Sequence, residues 1–72
     1  MANFSERLKL VRKAHKASQK QLSEVIEVSE TQYQNYEYGK HLPTIDKLEK
    51  LCTYFNVSAD YLLGLSDNPE RR

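Results

Sequence analysis

Hydrophobic positions recur along this chain at helical rather than strand spacing. Phe4, Leu8 and Val11 fall at i, i+4 and i+7. That pattern predicts an amphipathic helix over residues 3–15, capped by Asn3 or Ser5. Leu10 lies off the stripe and is expected in solvent. The periodicity breaks at residues 16–19. Ser18 then stands as an N-cap before a second, short helix, with Gln21 at the third helical position completing a capping box. In this helix Leu22, Ser23 and Ile26 face inward and Val25 outward. Three residues follow, Glu27-Val28-Ser29, in which Val28 packs inward and Ser29 caps a third helix over residues 30–38. Gly39 ends it by taking the left-handed backbone. After a loop at 40–43, Thr44 caps a fourth helix over 45–55, whose apolar stripe is Ile45, Leu48, Leu51, Cys52 and Phe55. Asn56 tolerates the left-handed cap. Val57-Ser58 repeats the apolar-then-cap signature and opens a fifth helix over 59–63, stopped at Gly64.

The chain is therefore expected to be all-α: a five-helix domain over residues 1–65 and a polar, proline-containing tail over 66–72 that frays. The second and third helices, joined by so short a turn, form a helix-turn-helix pattern. Around the third helix, Tyr33 and Tyr36 fall on one side and Thr31, Gln34, Asn35 and Tyr38 on the other. The second side offers hydrogen-bonding groups with no evident partner inside a small core.

A chain of 72 residues makes one domain, burying only ~60% of its unfolded surface and standing to gain from a partner subunit. The formal net charge of +1 says little, but its distribution says more. Residues 1–20 carry Arg7, Lys9, Arg12, Lys13, Lys16 and Lys20 against Glu6 alone, while residues 21–67 are net acidic. Lys9, Arg12, Lys13 and Lys16 cluster on one side of the first helix, as a solvated face or as a strip for an anionic partner. Cys52, the single cysteine, has no disulfide partner and sits on an apolar stripe, where a buried thiol is the ordinary reading. Neither His15 nor His41 is spaced to join a nucleophile or a metal set, so no enzyme activity, metal or cofactor is expected. No apolar run approaches the ~18 residues of a membrane span. No secretory leader is evident, and a soluble, cytoplasmic protein with no membrane partner is expected.

Four short pieces stand in register across residues 4–65: Ser18-Gln19, the run Tyr36-Glu37-Tyr38-Gly39-Lys40, Pro43-Thr44, and Val57-Ser58 with Asp60-Tyr61-Leu62-Leu63. Together they resemble the Cro/cI-type helix-turn-helix family, also called the XRE family, of phage and bacterial transcriptional regulators. The resemblance implies a compact lambda-repressor-like domain, bacterial or phage-encoded, that binds double-stranded DNA as a homodimer with its third helix in the major groove. Position by position, it implies that Gln19, Glu30, Thr31, Gln34 and Asn35 face the bases and that Ser29, Lys40 and His41 lie near phosphates. Lys20 and Tyr38 are further phosphate candidates. Arg12 and Glu37 match a pair that bridges the first and third helices. Three positions depart from the family pattern. Glu27 stands where the turn often has glycine, which imposes a less comfortable backbone. Ser23 replaces alanine and needs a partner for its hydroxyl, expected at a carbonyl one turn back. Tyr33 replaces isoleucine or valine, and the third helix is expected to ride slightly farther from the core.

The chemistry of the polar face fits the implication. Asn and Gln pair bidentately with adenine, and threonine touches the thymine methyl. Glu30 has two readings, a carboxylate favoured by the helix dipole and an acceptor for a cytosine amino group. Tyr54, Tyr61 and Leu65 exceed what one small core needs and form the expected dimer surface. The expected function is a stand-alone repressor occupying a pseudo-palindromic operator, with no small-molecule ligand. The alternative is a protein-interaction role, as an antitoxin or antirepressor.

Overall fold

The computed structural model describes residues 3–70, which form five α-helices and no strand. Met1 and Ala2 of the expected domain, and Arg71 and Arg72 of the expected tail, lie outside the described residues. The helices are α1 (Phe4–Ala14), α2 (Gln19–Val25), α3 (Glu30–Glu37), α4 (Ile45–Phe55) and α5 (Ala59–Leu62). Side chains start four of the five: Asn3, Ser18, Ser29 and Ser58 each accept a hydrogen bond from a backbone N–H three residues on. Asn3 rather than Ser5 therefore caps α1, and the capping box of Ser18 and Gln21 is complete. Thr44 stands at the N-cap of α4, but its hydroxyl donates to the Asp46 carboxylate instead of accepting from the backbone. That bond holds the Asp46 carboxyl below its usual range. Residues 38 and 63, expected as the last of their helices, are the C-caps of α3 and α5.

Every helix contributes to one core. Leu8, Leu22, Tyr33, Leu51, Phe55 and Leu62 are enclosed, as is Ile26 at the end of α2. Each such side chain is worth roughly 1.5–3 kcal/mol of burial. Tyr36 packs edge-on to Tyr33 with ring centroids 6.5 Å apart. Cys52 is buried, Leu10 is exposed, and Ser23 donates to the Lys20 carbonyl at 2.7 Å, which satisfies the hydroxyl inside the core.

The connections rest on left-handed residues. Gly39 (φ +78°) and Asn56 (φ +56°) end α3 and α4 in that conformation, as their types favour. Glu27 adopts it without glycine's freedom, at φ +59°, and Val28 then donates to the Ser23 carbonyl at 2.9 Å. This closes the turn and aims α3 across α2.

Four expectations need correction. Ile45 is 82% exposed rather than part of the core. It is the first residue of α4, and it stands at the rim of a groove of about 510 Å³ whose lining includes Leu48, Cys52 and Val57. Val25, expected outward, is half-buried against the core. The basic strip of α1 loses Arg12, which turns inward to Glu37, leaving Lys9, Lys13 and Lys16 exposed. Finally, residues 66–70, expected as a frayed tail, lie back against the domain. Arg7, itself buried, lies 4.2 Å over the Tyr61 ring and donates to the carbonyls of Tyr61 (3.0 Å) and Ser66 (3.3 Å). It also pairs with Asp67 at 3.1 Å. Ser58 N–H donates to the Pro69 carbonyl at 3.0 Å. A buried cation needs anionic or carbonyl partners, and the segment after α5 supplies them.

Candidate nucleic-acid interface

The polar face of α3 is built from the turn upward. Ser29 and Glu30 begin the helix, with the Ser29 hydroxyl accepting from Gln32 N–H at 3.0 Å. Ser29, Glu30 and Thr31 are exposed, and Gln34 and Asn35 are half-exposed. Tyr38 is 59% exposed at the far end. The Asn35 carbonyl accepts from Lys40 N–H at 2.9 Å and from His41 N–H at 3.4 Å. These bonds fold the 40–43 loop back against the end of α3, with Lys40 and His41 both exposed. Together with Gln32, Gly39 and Leu42 these two residues line a shallow concavity beside the helix. Lys20 is exposed on the first turn of α2.

Gln19 differs from the other expected base-facing residues. It is half-buried, and both ends of its amide bond within the protein. Its Nε2 donates to Glu37 Oε1 at 3.1 Å, and its Oε1 accepts from Gln34 Nε2 at 3.2 Å. Behind it, Arg12 and Glu37 form the bridge between α1 and α3. Arg12 Nε lies 2.5 Å from Glu37 Oε2 and Nη2 lies 3.2 Å from Oε1, while Nη1 donates to the Ala17 carbonyl at 3.0 Å. The Glu37 side chain is fully enclosed. Burial pushes its carboxyl up, but Arg12 first, with the neighbouring Tyr33 hydroxyl and Gln19 beside it, outweighs that and holds the group below its usual range. The same contact raises the Arg12 guanidinium.

Tyr33 completes this cluster. Its hydroxyl is buried beside Glu37 without a hydrogen bond of its own. Burial, reinforced by the neighbouring carboxylate, pushes the phenol well above its ordinary value. Where the family pattern has an aliphatic residue, the larger ring is wholly enclosed.

The expected dimer residues are placed unequally. Tyr54 and Leu65 are 43% and 76% exposed, but Tyr61 is half-buried beneath Arg7. Arg7 and Asp67 received no role from sequence reasoning. A signal for Arg7 was present: with Phe4, Leu8 and Val11 it completes a stripe at positions 4, 7, 8 and 11. An arginine inside an apolar stripe is a buried, partnered cation unless the stripe is wrong. Among the described residues no group of His, Cys, Asp and Glu is gathered to hold a metal ion.

A five-helix domain with a capped α2–turn–α3 unit and a polar face on α3 is a helix-turn-helix domain. A family model described as a helix-turn-helix domain matches residues 5–67, and the chain belongs to that family, in its XRE-type branch of transcriptional regulators. It is 42% identical over 67 residues to the uncharacterized HTH-type transcriptional regulator YobD of Bacillus subtilis, covering 93% of this chain and 60% of that protein. It is 41% identical over 61 residues to the cryptic phage CTXphi transcriptional repressor RstR of Vibrio cholerae, covering 85% and 54%. The chain thus spans little more than half the length of these relatives. Among solved structures, the P22 c2 repressor in complex with a synthetic operator matches with a TM-score of 0.84 at 27% identity, covering 92% of this chain and 100% of that one. A transcriptional regulator from Listeria innocua matches with a TM-score of 0.83 at 35% identity, covering 86% and 58%. The fold is lambda-repressor-like.

Proposed function

We propose that the chain binds double-stranded DNA in a sequence-specific way and acts as a transcriptional repressor by occupying an operator. The observation that carries this is the polar face of α3, where Thr31, Gln34 and Asn35 present hydroxyl and amide groups of the kind that read bases, on a helix tied to α1 by the buried Arg12–Glu37 bridge. The similarity to the P22 c2 repressor, solved on a synthetic operator, supports the same docking. Glu30, at the start of α3, and Gln34 with its support Gln19 belong to the reading set. Ser29, Lys20, Lys40, His41 and Tyr38 lie along its borders as the phosphate-contacting set, together with backbone amides at the starts of α2 and α3.

A homodimer fits this reading, with half-sites ~34 Å apart in a pseudo-palindrome. Tyr54 and Leu65 supply exposed apolar surface for it, flanking the half-buried Tyr61. The reading needs no catalytic group or cofactor, and it places the protein with cytoplasmic DNA. No described helix is long and apolar enough to cross a membrane. Residues 1–65 act as the binding domain, and residues 66–70 of the tail 66–72 pack back on it.

Selection of sites from a random duplex pool, followed by salt titration, tests the proposal. An enriched palindrome with affinity falling steeply with salt is expected. Weak, sequence-blind binding would sink it in favour of a protein-interaction role such as antitoxin or antirepressor.

A further inference from the structure

We infer that Lys16, in the turn between α1 and α2, is a phosphate-contacting residue held in a backbone conformation that its type disfavours, so that the chain gives up stability at this position for DNA affinity. This rests on the DNA-binding reading above and adds one anchor to it. All five helices stop alike. The residue that turns left-handed past the end of each donates its N–H to a carbonyl three positions back, and its successor donates to one five back. Glycine serves in α3 and α5 and asparagine in α4, the types that tolerate this backbone. In α2 the position falls to Glu27, which pairs with Lys50. In α1 it falls to Lys16, at φ +55°. Lys16 is exposed, and among the described residues its ammonium meets no carboxylate. Nothing inside the domain gains from a lysine there, and backbone strain that the fold does not use points to a role outside it.

The turn is also fixed with respect to the reading helix. The Arg12 carbonyl accepts from Ala17 N–H at 3.2 Å, and Arg12 Nη1 donates to the Ala17 carbonyl at 3.0 Å. The same guanidinium grips Glu37 of α3, so Lys16 is one residue from a backbone unit that Arg12 ties to that helix. Three residues further on, Gln19 touches Gln34 on the polar face, which puts the turn at the border of that face, and Lys20 is exposed next to Gln19. Lys16 and Lys20 thus flank the start of α2 with two cations on long stems, where a duplex seated on α3 brings its sugar-phosphate backbone. A lysine serves as a compact point charge for a phosphate. Glycine or asparagine would relax the turn and carry no charge.

Lys16→Gly, Lys16→Asn, Lys16→Arg and Lys13→Ala, each melted and titrated with salt on the duplex that wild type selects, test this. Lys16→Gly should raise Tm by about 2–4 °C. It should also weaken binding about 8-fold at 0.1 M salt, with the log–log slope reduced by about 1 and the sequence preference unchanged. Lys16→Asn should lose the same slope with a smaller rise in Tm, and Lys16→Arg should keep the wild-type slope. Lys13→Ala, which removes an exposed charge from α1 itself, should leave the slope as it is. A melt that rises while affinity falls separates a phosphate anchor from a solvated lysine, whose loss would raise the melt alone, and from a structural one, whose loss would lower both. The inference is overturned by an unchanged slope in Lys16→Gly and Lys16→Asn, by a Tm that falls in Lys16→Gly, or by an equal loss of slope in Lys13→Ala, which would assign the effect to the general charge of α1. A wild type that enriches no duplex defeats the DNA reading and this inference together, whereas an enriched palindrome bound with the wild-type slope by both uncharged Lys16 variants defeats only the inference.

Discussion

Glu27 holds a left-handed backbone that costs a non-glycine residue roughly 1–2 kcal/mol. Its side chain returns little, since the 3.5 Å pair with Lys50 is exposed on both sides. Glu27→Gly gives back part of that gain through the extra freedom of the unfolded chain, so a net stabilisation of about 0.5 kcal/mol is expected, seen as a small rise in Tm. Glu27→Val should lower Tm by more, because a β-branched side chain resists positive φ. Equal melts for all three proteins would mean that the turn is not strained. At Glu37 the balance is different. Arg12→Met would strand an enclosed carboxylate, at a cost of about 3–5 kcal/mol. The Arg12→Met, Glu37→Leu double variant should recover part of that loss, measured as coupling in urea unfolding. The pH dependence follows from the sign of the shift. Because the folded Glu37 carboxyl lies below its unfolded value near ~4.3, its contribution is fully present above that pH and is lost as pH falls through the folded value. Glu37→Gln should flatten the acid limb of the stability curve; an unchanged limb would assign it to other carboxylates.

At the level of the helices, much was legible because the signals were local. Ser18, Ser29 and Ser58 each cap where the sequence puts them, and Gly39 and Asn56 end α3 and α4 in the backbone that their types favour. Periodicity located the stripes, but it could not say which end of a stripe has a neighbour. Ile45 obeys the α4 period and still lies in solvent at the first turn. Residues 66–70 were illegible for a related reason: nothing in a short polar run announces that a buried cation 59 residues earlier binds its carbonyl. On the candidate site, the wheel separated the polar face of α3 correctly. It could not distinguish Gln19, whose amide is engaged on both sides, from residues such as Thr31 that stand free of the core, because that difference is made by contacts between helices. The Arg7 contact yields its own prediction. Arg7→Met keeps the apolar stem but removes every donor to Tyr61, Ser66 and Asp67, so the segment after α5 should detach. Amide exchange at Ser58, whose N–H bonds Pro69, should accelerate to the open-state rate while α3 amides keep their order of protection. Retained protection at Ser58 would show that the segment is held by other contacts.

On the scale of the whole molecule, charge and exposed apolar surface lie on different parts of the chain, and the DNA-binding proposal needs both. Lys20 and Lys40 border the α2–α3 face, and Lys9, Lys13 and Lys16 extend a positive surface along and beyond α1, with the remaining residues net acidic. Loss of one lysine that touches a phosphate should weaken binding about equally on all sequences and reduce the log–log salt slope by about 1. Lys40→Ala and Lys20→Ala are expected to do this, and Lys50→Ala, on α4 and paired with Glu27, is the control. Two domains on a pseudo-palindrome gain further through linkage, since one bound half-site raises the effective concentration of the other domain. Leu65→Asp is the informative test of the expected dimer surface, with Tyr54→Asp beside it, because both residues are exposed, although the Tyr54 ring also packs edge-on to the buried Phe55 with centroids 5.3 Å apart. Tyr61→Asp is not, because it would also remove the ring beneath Arg7. In sedimentation the two exposed variants should shift toward monomer, with an unchanged melt for Leu65→Asp and a small drop for Tyr54→Asp, and their binding isotherms should lose cooperativity while retaining the half-site sequence preference. A dimer that persists in both variants would move the interface elsewhere, to the groove rimmed by Ile45.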